Sequence, residues 1–152
     1  AIVIGREGKY IPIEKAQDYV FGYCIVNDIS ERSWQKERGG QWIKGKSIAG
    51  PIGPYLVTKD EIRDINNINL SLDVNEERRQ TGNTKRMIFN FDFLISHISQ
   101  FMTLYPGTII TTGTPAGTAM EMSEPKFLQS GDKLSLKVDY LGEQHHKIIN
   151  ES

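Results

Sequence analysis

The chain has 152 residues, with 18 basic against 19 acidic side chains, a net charge of -1 and a hydrophobic fraction of 38%. That length suits one domain that buries a core without disulfides or a structural metal. The near-neutral balance leaves no electrostatic footprint for nucleic acid, and no apolar run approaches the ~20 residues that span a bilayer, so neither partner is expected.

Residues 1–4, Ala-Ile-Val-Ile, form a continuous apolar run that reads as a buried strand. The chain opens inside that strand without an initiator Met, so further residues are expected upstream. Gly5 and Gly8 punctuate a turn, and Pro12 opens a short helix with Ala16, Tyr19 and Val20 on one face, ended by Gly22. Residues 23–26 read as a strand whose end delivers Asn27 and Asp28. Cys24, the single cysteine, lies in this apolar run and is expected to be a buried, inert thiol in a reducing, cytoplasmic setting. Residues 30–38 predict a helical turn, broken by Gly39-Gly40, and residues 55–58 a short strand.

Ile68, Leu70, Leu72 and Val74 alternate with polar residues, the period of a half-buried strand, and Asn75-Glu76 reads as a hairpin tip. Asn90 caps a helix over 91–102 with Leu94, Ile95, Ile98, Phe101 and Met102 on one stripe. Pro106-Gly107 stops that helix, residues 108–112 form a strand, and a small-residue loop follows at 113–117. Leu134, Leu136 and Val138 alternate again, and Gly142 turns the chain into a last strand near 147–149. Strands dominate and no βαβα alternation occurs, which favours an α+β architecture on mixed or antiparallel sheets.

Three clusters hold chemistry at strand ends or in glycine-rich loops. In the first, Asp28 at the mouth of an apolar strand either caps the next helical turn or binds a cation. Arg32 and Gln35, three apart, face either one pocket or solvent. In the second, Lys46 lies between Gly45 and Ser47, where its ammonium either meets a carboxylate or oxyanion or is a surface charge; Gln41 and Trp42 read as packing and a loop hydrogen bond. In the third, residues 111–117 present small hydroxyls and glycines either to an anion or simply as a tight connection. There is no Walker lysine and no GxGxxG, so no nucleotide site is expected. His97, His145 and His146 do not read as a zinc site, because adjacent strand residues point to opposite faces.

Taken in order, AIVIG (1–5), GYCIVNDISERSWQ (22–35), GGQWIKGKS (39–47), GPYLVTKDEI (53–62), RRQTGNTKRMIF (78–89), FMTLYPGTIITTGTPAG (101–117) and FLQSGDKL (127–134) resemble the fumarylacetoacetate hydrolase family over nearly the whole chain. The resemblance implies an α+β fold built as a mixed β-roll, a partly open barrel with flanking helices, paired as a homodimer. It implies one Mg2+ or Mn2+ held by Asp28 and by a Glu-x-Glu pair preceding Ala1. A lid with a water-activating Glu-His pair is also expected upstream, so residues 1–152 would be a catalytic domain without its N-terminal part.

By the same resemblance, Arg32 and Gln35 contact substrate and lid. Lys46 faces the substrate oxygens, and Gly113 and Thr114 hold the substrate carboxylate. The implied activity is on a C–C bond of a small 2-oxo or 1,3-diketo acid through a metal-stabilised enolate. It would be an acylpyruvate or fumarylpyruvate hydrolase, or an isomerase or decarboxylase of aromatic catabolism. The alternative is a non-catalytic binding or dimerisation subunit with an incomplete metal site. Three departures flank the site: the short, Asp-less stretch from Ser47 to Pro51, Glu31 in place of a small residue, and Thr118-Ala119-Met120 in place of a glycine-rich continuation. They bear on substrate identity more than on metal binding.

Overall fold

The computed structural model describes residues 1–36 and 50–150, with Trp34 described in its backbone alone. Among these residues, eight strands make two four-stranded sheets, and every ladder is antiparallel. The first sheet has the order β3-β2-β1-β6, from β1 (Ile2–Ile4), β2 (Val20–Tyr23), β3 (Val57–Thr58) and β6 (Ile109–Ile110). The second has the order β5-β4-β7-β8, from β4 (Asn69–Val74), β5 (Glu77–Asn83), β7 (Lys133–Val138) and β8 (Gly142–Lys147). Helices are few: α1 (Arg32–Lys36), α2 (Phe91–Ser99) and short 3-10 turns. The expected α+β roll is the observed fold.

The apolar opening run is a core strand, with Ile2 and Ile4 fully buried between β2 and β6. Full burial of one such side chain is worth about 1.5–3 kcal/mol. Ile13–Tyr19 is a 3-10 helix entered from Pro12, and Val20 already belongs to β2. Gly22 therefore does not end a helix. It sits inside β2, where a Cβ would stand 2.1 Å from Val57 O, so only glycine lets β3 approach. The regular strand correspondingly ends at Tyr23, earlier than the sequence pattern predicts.

Asn75 and Glu76 form the expected two-residue hairpin tip between β4 and β5, both with positive φ (50° and 70°), the signature of a type I′ turn. Asn90 caps α2 by accepting a hydrogen bond from Phe93 N at 2.9 Å. The helix is shorter than its apolar stripe suggests. Phe91, Ile95 and Ser99 are buried, whereas Phe101 and Met102 lie beyond the helix and are exposed. Ser99 and Ser96 tie α2 to the entry of the first 3-10 helix: Ile11 N donates to Ser99 Oγ at 2.9 Å, and Ser96 Oγ donates to Ile11 O at 2.8 Å. Leu104 then bridges back to Gly8, which draws the chain off the helix axis. On the outer face Phe89, Phe93 and His97 stack at centroid spacings of 4.5 and 5.5 Å, and Phe101 meets His97 edge-on at 5.2 Å.

Tyr23 packs edge-on against Phe91 at 5.5 Å and donates its hydroxyl to Gln17 Oε1 at 3.1 Å. Burial pushes this phenol up to about 12. Cys24 is buried, as its setting predicts, and desolvation raises its thiol pKa, which keeps it unreactive. No helix among the described residues is long and apolar enough to cross a membrane.

Candidate functional site

Beyond β2 the backbone stays paired for a few residues. Val26 bridges Ile52, Asn27 N donates to Pro51 O at 3.0 Å, and Gly53 N donates to Ile25 O at 3.0 Å. This pairing carries the chain in register up to Asp28, whose side chain is exposed. The N-terminal turn of α1 is capped by Glu31: its Oε1 accepts from Ser33 N at 2.8 Å and from Ser33 Oγ at 2.5 Å. Those donors hold the Glu31 carboxyl below its ordinary range. Glu31 therefore serves the first turn of α1.

One turn of α1 brings Arg32 and Gln35 together, with Arg32 Nη1 donating to Gln35 Oε1 at 2.5 Å. Gln35 is 1% exposed and Asn27 7%. Gln35 Nε2 and Asn27 Nδ2 are buried and have no hydrogen-bond partner among the described residues. A buried donor left unmade costs about 1–3 kcal/mol. Of the two, Asn27 precedes Asp28 in the chain and Gln35 packs against Arg32.

The third cluster follows β6. Gly113 has φ +91° and Thr114 is exposed. The loop leans on β5: Gln80 Nε2 donates to Thr114 Oγ1 at 2.9 Å and to Pro115 O at 2.8 Å. At Gly117, with φ +109°, a Cβ would stand 1.9 Å from Arg79 O, so the loop seats directly on the strand backbone. Glu121 closes the loop by accepting from Gly117 N at 2.8 Å and Thr118 N at 2.9 Å, and these backbone donors, with the Thr118 hydroxyl, hold its carboxyl below the ordinary range.

Sequence reasoning did not single out Gln80, Arg79 or Glu121. Arg79 is a near-buried cation, its side chain 12% exposed, with Nη1 3.1 Å from Met122 Sδ and Nε 3.6 Å from Glu77 Oε1. The sequence offered only the run Arg78-Arg79-Gln80 after the hairpin tip; a β-bulge opposite Leu72 and Asp73, which leaves Arg79 without a ladder partner, breaks the alternation there.

Asn27, Asp28, Arg32, Gly113 and Thr114 line one cavity of about 1620 Å³. Its floor is apolar, with Ile68, Leu134 and Leu136 from the region of the second sheet. The volume exceeds the ~300–1,000 Å³ of ordinary ligand pockets, so the named polar residues, rather than the whole cavity, are the candidate site. Gln35 lies behind Arg32 and holds it. Lys46, Gln41 and Trp42 fall outside the described residues. Asp28 offers one hard oxygen donor, and among the described residues no group of three His, Cys, Asp or Glu side chains stands ready for a metal. His145 and His146 diverge as expected, His145 lying toward Glu143 and His146 toward Gln144.

Two antiparallel sheets, with a strand-end carboxylate and a glycine-threonine loop among the residues that line one cavity, define the class: an α+β roll. The chain belongs to the fumarylacetoacetate (FAA) hydrolase C-terminal family, whose profile matches residues 1–149. Over 146 residues it is 51% identical to a provisionally named hydrolase of Burkholderia cenocepacia, covering 94% of this chain and 52% of that protein. The chain thus spans about half the length of the curated relatives it matches.

Among solved structures, it is similar to a fumarylacetoacetate hydrolase from Exiguobacterium antarcticum (36% identity, TM-score 0.92, covering 99% of this chain and 54% of that one). It is also similar to a 2-hydroxyhepta-2,4-diene-1,7-dioate isomerase from Mycobacterium marinum (34%, TM-score 0.85, 99% and 56%). A third similarity is to maleylpyruvate hydrolase from Sphingobium in complex with manganese(II) ion and pyruvate (30%, TM-score 0.85, 99% and 52%).

Proposed function

We propose that the chain is the larger part of a divalent-metal-dependent enzyme acting on a small 2-oxo or 1,3-diketo acid, by C–C hydrolysis or by a related isomerisation or decarboxylation. One observation carries the reading: Asn27, Asp28, Arg32, Gly113 and Thr114 line the same cavity, and the Asn27 amide, next to Asp28 in the chain, has no hydrogen-bond partner among the described residues. The manganese and pyruvate held by the Sphingobium relative support the choice of ligands.

Asp28 fits a hard cation as one ligand of a set. The register supports the rest of that set. β1 runs antiparallel to β2 with Ile2 opposite Tyr23, and Cys24 N donates to Ala1 O at 3.2 Å. A chain entering Ala1 in that register would run beside residues 25–27 toward Asp28, where the Glu-x-Glu pair that the family resemblance implies would complete the ligands. When bound, Mg2+ or Mn2+ supplies Lewis-acid stabilisation of negative charge developing on the substrate.

The chain's own residues do the remaining work. Arg32, oriented by Gln35, presents a guanidinium fork to a carboxylate. Asn27 Nδ2 offers a donor to a substrate oxygen or an ordered water. The positive φ at Gly113 turns the loop so that its backbone N–H groups and Thr114 meet the substrate carboxylate. Lys46 adds positive charge near the developing oxyanion, a role assigned by resemblance. A homodimer belongs to the same reading.

The test is Mn2+ titration of the full-length protein and of Asp28→Asn, followed by a substrate panel of acylpyruvates, 2-hydroxy-diene-dioates and oxo-diacids. Loss of Mn2+ binding in the variant, with turnover of one panel class by the parent, is expected. Equal Mn2+ affinity in both refutes the ligand assignment. Dimerisation without metal binding or turnover would favour the non-catalytic subunit.

A further inference from the structure

Gln144 belongs to β8, where it pairs with Leu136, and it is 6% exposed. A buried primary amide costs free energy unless donor and acceptor are both satisfied. This one is satisfied across the roll, on the backbone of the first sheet's margin. Its Nε2 donates to Gly53 O at 2.6 Å and lies 3.4 Å from Ile25 O and 3.5 Å from Pro51 O. Three carbonyl oxygens around one nitrogen settle which end of the amide is which. Oε1 consequently faces His146 Nε2 at 3.0 Å. Because that oxygen can only accept, the His146 ring carries its hydrogen on Nε2.

The three carbonyls share a location. Ile25, Pro51 and Gly53 are the backbone of the paired stretch that leads to Asp28. That stretch is not a regular ladder: it consists of the single bridge Val26–Ile52 and two flanking hydrogen bonds. Gln144 contacts both of its chains at once, closing from the second sheet what the first sheet leaves thinly paired.

We propose that Gln144, oriented by His146, is a positioning residue that locks residues 25–27 against 51–53 and so fixes where the Asp28 carboxylate is presented to a divalent cation. The proposal rests on the reading of Asp28 as a metal ligand. Gln144 is not itself a ligand, since its amide is turned to backbone oxygens.

The experiment uses the full-length protein and Mn2+ as probe, read by calorimetric Kd and by the electron paramagnetic resonance spectrum of the bound ion. Gln144→Leu keeps the side-chain bulk and removes the contacts to the three carbonyls. It should weaken Mn2+ binding by about 10–100-fold, the usual effect of losing a residue that supports a ligand, and change the spectrum. His146→Leu leaves the amide in place without its orienting partner, should weaken binding less, and carries the test if Gln144→Leu does not fold. Leu104→Ala, which removes fully buried bulk at the Gly8 bridge, serves as a destabilised control that should keep the parental Kd within about twofold.

Parental Kd and spectrum in Gln144→Leu and His146→Leu, with binding lost in Asp28→Asn, overturns this proposal alone. Equal weakening in Leu104→Ala also overturns it, by reducing the effect to general stability. Retained affinity in Asp28→Asn overturns the metal reading and this proposal with it.

Discussion

Gly117→Ala tests how the 113–117 loop is held. Gly117 has φ +109°, and a Cβ there would stand 1.9 Å from Arg79 O and 3.0 Å from the Arg79 carbonyl carbon. An ordinary carbon–oxygen contact of about 3.3 Å requires loop and strand to part by about 1.4 Å. That motion pulls Thr114 Oγ1 and Pro115 O from Gln80 Nε2, which now holds them at 2.9 and 2.8 Å. Two hydrogen bonds at about 0.5–1.5 kcal/mol each, with a left-handed backbone penalty of about 1–2 kcal/mol, give a loss of about 2–5 kcal/mol. Gly107 separates the two causes. Its φ is +86°, yet a Cβ there meets nothing within 4 Å, so Gly107→Ala should cost only the backbone penalty of about 1–2 kcal/mol. Urea unfolding of the full-length variants reads both values. With the 113–117 loop proposed as the carboxylate site, titration with pyruvate should show weakened binding for Gly117→Ala and not for Gly107→Ala. Equal destabilisation and unchanged pyruvate affinity in the two variants would refute the loop-on-strand account.

Two further outcomes are expected. The buried Tyr23 phenol has its pKa raised from 10.0 to about 12, first by desolvation. A group whose folded pKa lies above its unfolded value contributes stability below the unfolded pKa and loses it as pH rises through the folded one. Parental Tm should therefore fall more steeply than that of Tyr23→Phe between pH 10 and 12, and parallel curves would count against the burial of this hydroxyl. At the hairpin tip Glu76 is held at φ 70°. Replacing it with glycine should relieve the strain and stabilise by about 0.5–1 kcal/mol, read as a raised urea midpoint; a lowered midpoint would contradict the type I′ turn.

Local chemistry made several elements legible. The apolar run at residues 1–4, the alternation in Ile68 to Val74 and Leu134 to Val138, the Asn75-Glu76 tip and the Asn90 cap each rest on one segment's own pattern, and each is found in the fold. The site was legible only in part. Strand ends and glycine loops left Asp28, Arg32, Gly113 and Thr114 open between a site and a structural role, and the family resemblance named them; all four line one cavity. Gln35 accepts a hydrogen bond from Arg32.

What the sequence by itself determined is the inventory: an α+β chain without excess charge, its strand-forming segments, and the ordered motifs that place it in its family. Only the tertiary structure decided how distant segments constrain one another. Gly22 looked like a helix stop because its real cause, Val57 O at the Cβ position, lies 35 residues away (57 less 22). The stripe through Phe101 and Met102 looked like core because nothing local announces that Leu104 returns to Gly8. Nothing in the sequence singles out Gln80 or Gln144. Each is defined by carbonyl or hydroxyl oxygens brought to it from another part of the chain. An amide carries no local preference for such partners, so its role appears only when folding delivers them.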